Sequence, residues 1–148
     1  MNLHDFLNPV SKDETREVVV TDRFIQHDAE GKPILDEAGN TIPAKFKIKA
    51  LTEEEVANLR KKCTRKEKNR SGQWVENFDS SRFVRALVVA ATVEPDFAAS
   101  ELCAAYGVMD PLDVPGKMLL AGEYTRLSDE ICTLSRIFDD EVEEDAKN

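Results

Sequence analysis

The most apolar run of the chain is Phe83–Val93, in which Arg85 is the only charged residue. Its apolar side chains cover almost the whole circumference of a 3.6-residue helix, a pattern typical of a buried helix. Aspartate and serine side chains at positions 79–81 can cap its start. Pro95 disfavours helical geometry in the residue before it, so the helix should end near Val93. We therefore predict that the rest of the chain packs around this helix.

Before this run, the hydrophobic pattern has a period of two rather than 3.6. The segment 45–51 alternates strictly, with Phe46, Ile48 and Ala50 on one side and Lys45, Lys47 and Lys49 on the other. The β-branched run 16–21 predicts a second strand, and we expect residues 18–21 to pair antiparallel with the alternating strand. The lysine face is interpreted as solvated, with a phosphate-binding stripe as the alternative.

A doubled turn signal lies between these two strands. Asp28, Gly31 and Ile34 recur eight positions later as Asp36, Gly39 and Ile42. Aspartate at the start and glycine at the fourth position are the residues that a tight turn needs. Neither copy has the ligand spacing of a calcium-binding loop. We therefore predict two turns, with a very short strand between them.

The polar and apolar positions after residue 51 predict a helix followed by a less regular segment. Thr52 and Glu55 form a capping box, which predicts a helix to about Lys62 with an inner face of Val56 and Leu59, followed by Cys63. The segment 64–72 is polar and basic. The segment 73–78 is either a short strand or an exposed loop that carries Trp74.

The chain after the central run is predicted to be helical. A short helix is expected over 97–106, with Leu102, Cys103 and Tyr106 inward and Gly107 at its C-terminal cap. A broken or late-starting helix is expected over 113–119. One apolar stripe then predicts a helix over about 123–138, and it consists of Tyr124, Leu127, Ile131, Leu134 and Phe138.

Together these elements predict an α+β fold: an antiparallel hairpin or small meander from Arg16 to Leu51, then about five helices around 83–93. We expect no strand after Phe78. The 148 residues are interpreted as a single domain, 1–148. Its β-rich part is expected at about 16–51, its helical part at about 52–138, and an acidic C-terminal tail at about 139–148. The first 14 residues are expected to be a short helix or a loose arm.

The charge of the chain is −9, and it is unevenly distributed. Residues 44–70 carry ten Lys and Arg against four Glu, whereas residues 94–148 carry fourteen acidic against four basic residues. The overall balance argues against a general nucleic-acid-binding protein and against a membrane partner, since no apolar run reaches the length of a membrane span. The three cysteines are odd in number and far apart, which favours free thiols in a cytoplasmic protein.

No catalytic or metal-binding motif is present in the sequence. His4 and His27 stand in unrelated contexts, and the cysteine spacings match no zinc module. No glycine-rich phosphate-binding motif occurs. We therefore predict no enzymatic activity, no catalytic residues and no cofactor or metal.

An ordered series of segments resembles the XkdN-like phage tail assembly chaperones. The resemblance covers roughly Arg16 to Phe138, and it is carried by the segments Phe46–Val56 with Arg60–Thr64, Phe78-Asp79 with Arg85–Phe97, Ala105–Pro111 and Met118–Tyr124.

This resemblance implies a small, non-enzymatic chaperone that is encoded in a phage or prophage tail operon and stays in the cytoplasm of the bacterial host. Such proteins bind the long, mostly helical tape-measure protein before the tail tube polymerises. They are thought to leave as tube subunits assemble, so the protein is not expected in the mature virion. Many members of such families are also made in a longer, frameshifted form. Self-association is left open.

The candidate partner-binding residues are those of the apolar stripe: Tyr124, Leu127, Ile131, Leu134 and Phe138. An amphipathic helical client needs an apolar surface, which this stripe would supply. The alternative is that the stripe belongs to the core of the protein. Two alternative functions remain: a structural tail or head-completion component retained in the particle, and a nucleic-acid-binding phage regulator that uses Lys45–Arg70.

Overall fold

The computed structural model describes residues 1–10 and 14–137, and these ranges contain short strands and helices in an interleaved order. The strands are β1 (Thr15–Val18), β2 (Phe46–Lys49), β3 (Thr64–Lys68), β4 (Trp74–Phe78) and β5 (Thr92–Glu94). The helices are α1 (His4–Leu7), α2 (Glu53–Lys62), α3 (Ser80–Ala91), α4 (Ser100–Ala105), α5 (Val114–Met118) and α6 (Ala121–Leu134), with a 3-10 helix at Pro111–Asp113. The predicted α+β class is confirmed. The predicted acidic tail and Phe138 lie outside the described residues.

A three-stranded antiparallel sheet with the order β1-β2-β5 forms one side of the core. The predicted antiparallel pairing of the first strand with the alternating one is confirmed, since Val18 pairs with Phe46 and Thr15 with Lys49. The predicted bounds were wrong, because the paired residues are 15–18 and not 18–21. Phe46 and Ile48 are buried, whereas Lys47 and Lys49, which alternate with them, are more exposed. The alternation therefore orients this strand as the sequence predicts.

Strand β5 contradicts the expectation that no strand follows Phe78. Helix α3 ends at Ala91, two residues earlier than predicted, and the chain passes directly into β5, where Thr92 pairs with Ile48. The Thr92 hydroxyl donates a 2.7 Å hydrogen bond to the Val88 carbonyl in the last turn of the helix. Pro95 favours extended geometry in the preceding residue, and here the extended segment lies where it can pair with β2.

The central helix α3 packs against α2, α5, α6 and β5, as the apolar run predicts. Leu87, Val88 and Ala91 are almost completely buried on it. The Asp79 side chain accepts a hydrogen bond from the Arg82 backbone N–H and so caps the helix. Burial of this helix on several sides makes it the centre of the core.

Helix α2 confirms the predicted capping box. The Glu55 backbone N–H donates to the Thr52 hydroxyl, and the Thr52 N–H donates to the Glu55 carboxylate. The hydrogen bonds from Thr52 lower the pKa of Glu55. Val56 is buried and Leu59 is half-buried, so the predicted inner face is also correct.

The doubled turn is confirmed, and a third copy is present. In each turn the backbone N–H of the glycine donates to the carbonyl of the first residue, and that residue's side chain accepts two further backbone hydrogen bonds. The turns begin at Asp28, Asp36 and Asn69, and their glycines have φ angles of 83°, 84° and 80°. Residues 69–73 thus close the β3–β4 hairpin in the same way, although this segment was expected to be irregular.

The first two turns fold the segment 24–44 into an extended arm on β1 and β2. Isolated bridges join Ile25 to Pro43, His27 to Pro33 and Leu35 to Thr41. Residues 27–41 are all exposed. Residues 27–41 are therefore organised by backbone pairing and turn chemistry, and the core contributes only at the base of the arm, where Phe24 packs against it.

The helices after β5 follow the predicted order, with different ends. Helix α4 is shorter than the predicted 97–106, and Gly107 follows it with a φ of 66° as expected for a C-terminal cap. The late-starting helix is confirmed as α5, which the 3-10 helix precedes. Helix α6 begins two residues before the predicted position 123 and ends at Leu134. Among the described residues, no helix is long and apolar enough to cross a membrane.

Candidate partner-binding surfaces

The predicted stripe on α6 faces the core for most of its length. Leu127 and Ile131 have no exposed area, Leu134 is 8% exposed, and Tyr124 is half-buried. Phe138, the fifth member, lies outside the described residues. The arrangement agrees with the alternative that the stripe supplies the core. Partner binding through Leu127, Ile131 and Leu134 stays a prediction, and it would require α6 to separate from α3 and the sheet.

Tyr124, which is half-buried, lines a groove between α3, α5 and α6. This groove has a volume of about 620 Å³. Its walls include Val84 and Leu119, and small side chains lie along it at Ser81, Gly116 and Ala121. Small residues allow the backbone of a second helix to approach closely. The apolar walls and the small residues therefore favour a helix as the occupant of the groove.

One wall of the groove is formed by Arg85 of α3. Its Nη1 donates to Asp113 at 3.1 Å, whereas its Nε is buried and has no hydrogen-bond partner among the described residues. The neighbouring Arg82 donates to Asp110 at 3.3 Å, so two ion pairs join α3 to the 3-10 helix. Burial raises the pKa of the Tyr124 hydroxyl, which stays neutral at physiological pH. The groove thus combines apolar walls with a guanidinium that is held by its ion pair to Asp113.

A bidentate ion pair fixes the start of α6 beside this groove. Arg23 donates to both carboxylate oxygens of Glu123, with the shortest contact at 2.6 Å, and also to the Met118 carbonyl. Glu123 accepts the Leu120 backbone N–H at 2.8 Å. The hydrogen bond from Arg23 is the main reason that the pKa of Glu123 is lowered to about 2. The α5–α6 corner is therefore held to the chain segment that follows β1.

The β3–β4 hairpin is a second surface, in which β4 confirms the short-strand alternative for 73–78 and β3 was not predicted. It pairs in register from Thr64↔Phe78 to Lys68↔Trp74. Residues 65–77 are all exposed, and the Trp74 side chain is 67% exposed. The turn signature at Asn69 and Gly72 could have revealed it, because it repeats the spacing of the two earlier turns.

The lysine face of β2 agrees with the solvated interpretation. The Lys45 ammonium lies 3.9 Å from the Glu17 carboxylate, and the Lys49 ammonium lies 4.0 Å from that of Glu55. Both pairs are exposed, so their contribution to stability is small. Lysines that pair with neighbouring carboxylates are less suited to bind phosphate.

The cysteines are free thiols, as predicted, and Cys63 and Cys132 are buried. Burial raises the pKa of the Cys63 thiol. Within residues 1–10 and 14–137, no three His, Cys, Asp or Glu side chains come together in a group that could hold a metal ion. What these residues offer is surface for binding: a groove on the helical side and an exposed hairpin.

Comparisons with known proteins agree with the family resemblance. The chain is 32% identical over 120 residues to the phage-like element PBSX protein XkdN of Bacillus subtilis, covering 79% of this chain and 80% of the relative. It is 35% identical over 120 residues to the uncharacterized protein YqbN of Bacillus subtilis, covering 79% of each. It also superposes on a crystal structure of the protein YqbN with a TM-score of 0.62 at 28% identity, covering 87% of this chain and 90% of that one.

A family model supplies the broadest match. The model of the phage XkdN-like tail assembly chaperone protein, TAC, matches residues 3–147, nearly the whole chain. Coverage on this scale includes the sheet, the hairpin and all the helices described above. The chain therefore belongs to the XkdN-like family of phage tail assembly chaperones.

Proposed function

We propose that this chaperone binds a helical segment of the phage tape-measure protein in the groove between α3, α5 and α6. The observation that carries the proposal is the groove itself. It is an apolar concavity on the helical side, and Tyr124, a member of the predicted stripe, is accessible in it. Membership of a chaperone family also implies a non-enzymatic role.

The chemistry of the groove suits an amphipathic helix. Val84, Leu119 and Tyr124 would contact the apolar face of the client, as in other helix-in-groove complexes. We propose that binding takes place in the cytoplasm of the bacterial host before the tail tube forms, and that the chaperone leaves as tube subunits assemble.

Filling the groove tests the proposal. Gly116 is exposed, and a Cβ added there meets no atom within 4 Å, so Gly116→Arg should fold normally while its side chain occupies the groove. Calorimetric titration with overlapping tape-measure segments should show at least a roughly tenfold loss of affinity for this variant. The matched control is Ala57→Arg on the exposed side of α2, which should bind like the wild type.

The wild-type titration has its own signature. Burial of apolar surface should give a negative heat-capacity change and only a weak dependence on salt. Equal binding by Gly116→Arg and Ala57→Arg would place the contact elsewhere on the protein. If no tape-measure segment binds and the protein is found in finished particles, the structural-component alternative replaces the chaperone–client interpretation.

A further inference from the structure

We propose that one face of the β3–β4 hairpin is a second docking surface, for an acidic protein segment that carries apolar side chains. We call this surface the hairpin face and define it by Lys66, Lys68, Trp74 and Glu76, which the strand register places on one side of the hairpin. The inference goes beyond the proposed function and does not depend on it.

The hairpin face is held in place from its base, so that its outer part is free to bind. The Phe78 ring lies 5.5 Å from the Phe83 ring of α3, and the Asp79 backbone N–H donates to the Cys63 carbonyl at 2.8 Å. A two-stranded hairpin is only marginally stable without such an anchor. Beyond this base, Trp74 contributes nothing to the core, yet it is a large apolar side chain held on an ordered strand.

Trp74 is also arranged as part of a concave site. The Lys68 ammonium lies 5.2 Å from the centre of the Trp74 ring, which orients both side chains. A cavity of about 540 Å³ is lined by Lys66, Trp74, Val75 and Glu76. Aromatic and cationic side chains around a concavity are typical of sites that anchor a partner.

The charge around the hairpin contrasts with that of the rest of the chain. Residues 60–78 carry seven Lys and Arg against two Glu, a charge of +5, so the remaining residues carry −14. Arg65, Lys66, Lys68 and Arg70 form no ion pair with another described residue. Unpaired cations beside an exposed aromatic ring favour a partner that offers both carboxylates and apolar side chains.

The same features favour a protein segment over a nucleic acid. Glu76 lies among the cations, and Glu67 follows Lys66 on the strand. Double-stranded DNA carries about one negative charge per 1.7 Å, and the −14 of the remaining residues would repel such a polyanion. An acidic peptide has a sparser charge, and its apolar side chains would bury Trp74.

The test is a peptide titration, with Trp74 as the reporter because it is the chain's single tryptophan. The probe is a labelled synthetic peptide with the sequence of residues 138–148, which contains six carboxylates together with Phe138 and Val142. Binding should change the Trp74 emission and the anisotropy of the label. A matched peptide, with amides in place of the six carboxylates, should bind much more weakly.

Two variants and one control locate the site. Lys66→Glu and Trp74→Ser should each weaken binding about five- to tenfold. Lys32→Glu, which makes the same charge change at an exposed position of the arm, should alter affinity by less than about twofold. All titrations are repeated with a full chain in which the acidic residues at 139–145 are replaced by the corresponding amides. In this chain the acidic residues at 139–145 cannot compete with the peptide for the hairpin face.

The proposal fails if the peptide binds neither the wild-type chain nor the chain with amides at 139–145. It also fails if Lys66→Glu and Lys32→Glu weaken binding equally. It also fails if a single-stranded DNA oligonucleotide of equal charge binds more tightly than the peptide, since the hairpin face would then be a nucleic-acid surface. The proposal is supported if Lys66→Glu and Trp74→Ser weaken binding and Lys32→Glu does not. The affinity for the peptide should also fall as the salt concentration rises.

Discussion

The core around α3 and the β3–β4 hairpin are stabilised by different physical effects. In the core, burial dominates, since Leu87, Leu127 and Ile131 are at most 1% exposed. In the hairpin, residues 65–77 are all exposed, and backbone pairing, one turn and the Phe78 anchor hold the strands. The difference implies that the core and the proposed hairpin face can be altered separately, because they share no residue.

The largest effect is expected from Ile131→Asp in the core. The substitution places an unpaired carboxylate at a position with no exposed area, which costs several kcal/mol. We expect the variant to be unfolded by circular dichroism. Tyr124→Asp, on the same stripe but half-buried, should remain folded. A folded Ile131→Asp protein would show that α6 can turn its stripe outward, and would revive the predicted partner-binding role of that stripe.

Leu87→Ala should have the next largest effect. Leu87 is 1% exposed at the centre of α3, so the substitution should lower the free energy of unfolding by about 2–5 kcal/mol. Lys47→Ala on the outer face of β2 is the control and should change it by less than about 0.5 kcal/mol. Similar effects of the two substitutions in chemical denaturation would mean that the assignment of buried and exposed faces is incorrect.

Gly72→Ala should act on the hairpin while leaving the core intact. Gly72 has a φ of 80°, and a non-glycine residue in this conformation costs about 1–2 kcal/mol. We expect faster amide hydrogen exchange at residues 64–78 and an altered Trp74 emission, with an unchanged denaturation midpoint by circular dichroism. A midpoint that falls together with the hairpin signals would show that the two regions unfold as one unit.

The smallest effect concerns pH. The pKa of Glu123 is lowered from its ordinary 4.5 to about 2 by Arg23, so this pair stabilises the folded state above about pH 4.5. That contribution should be lost as the pH falls through about 2. Glu123→Gln should therefore show a flatter dependence of stability on pH between these values in acid denaturation. A wild-type curve that matches the variant would mean that the pair is not formed in solution.

The sequence predicted the parts of this fold in which pattern and burial coincide. The period of 3.6 at 83–93, the alternation at 45–51 and the Thr52–Glu55 capping box each specify local geometry directly. Strand β5 was missed because three residues give no periodicity, and their pairing with β2 depends on where α3 ends. The β3–β4 hairpin was predicted only in part: a short strand at 73–78 was one of two alternatives, whereas β3 was missed because four of its five residues are charged.

The candidate surfaces were harder to predict than the fold. Periodicity shows which residues of α6 share a face, but the same stripe fits a core or an interface, and only the packing of α3 and the sheet against it separates the two. The groove at Tyr124 arises from three helices that meet in space. A concavity of this kind depends on helix crossing, which no single segment of the sequence encodes.

The arm between β1 and β2 has an evolutionary consequence. Its two turns repeat with a spacing of eight residues, and the bridge between Ile25 and Pro43 closes the arm where it leaves the sheet. Gain or loss of one eight-residue unit would lengthen or shorten the arm while leaving the register of β1 and β2 unchanged. Homologous chains should therefore differ in length at this place, in steps of one turn unit, with the same core beneath.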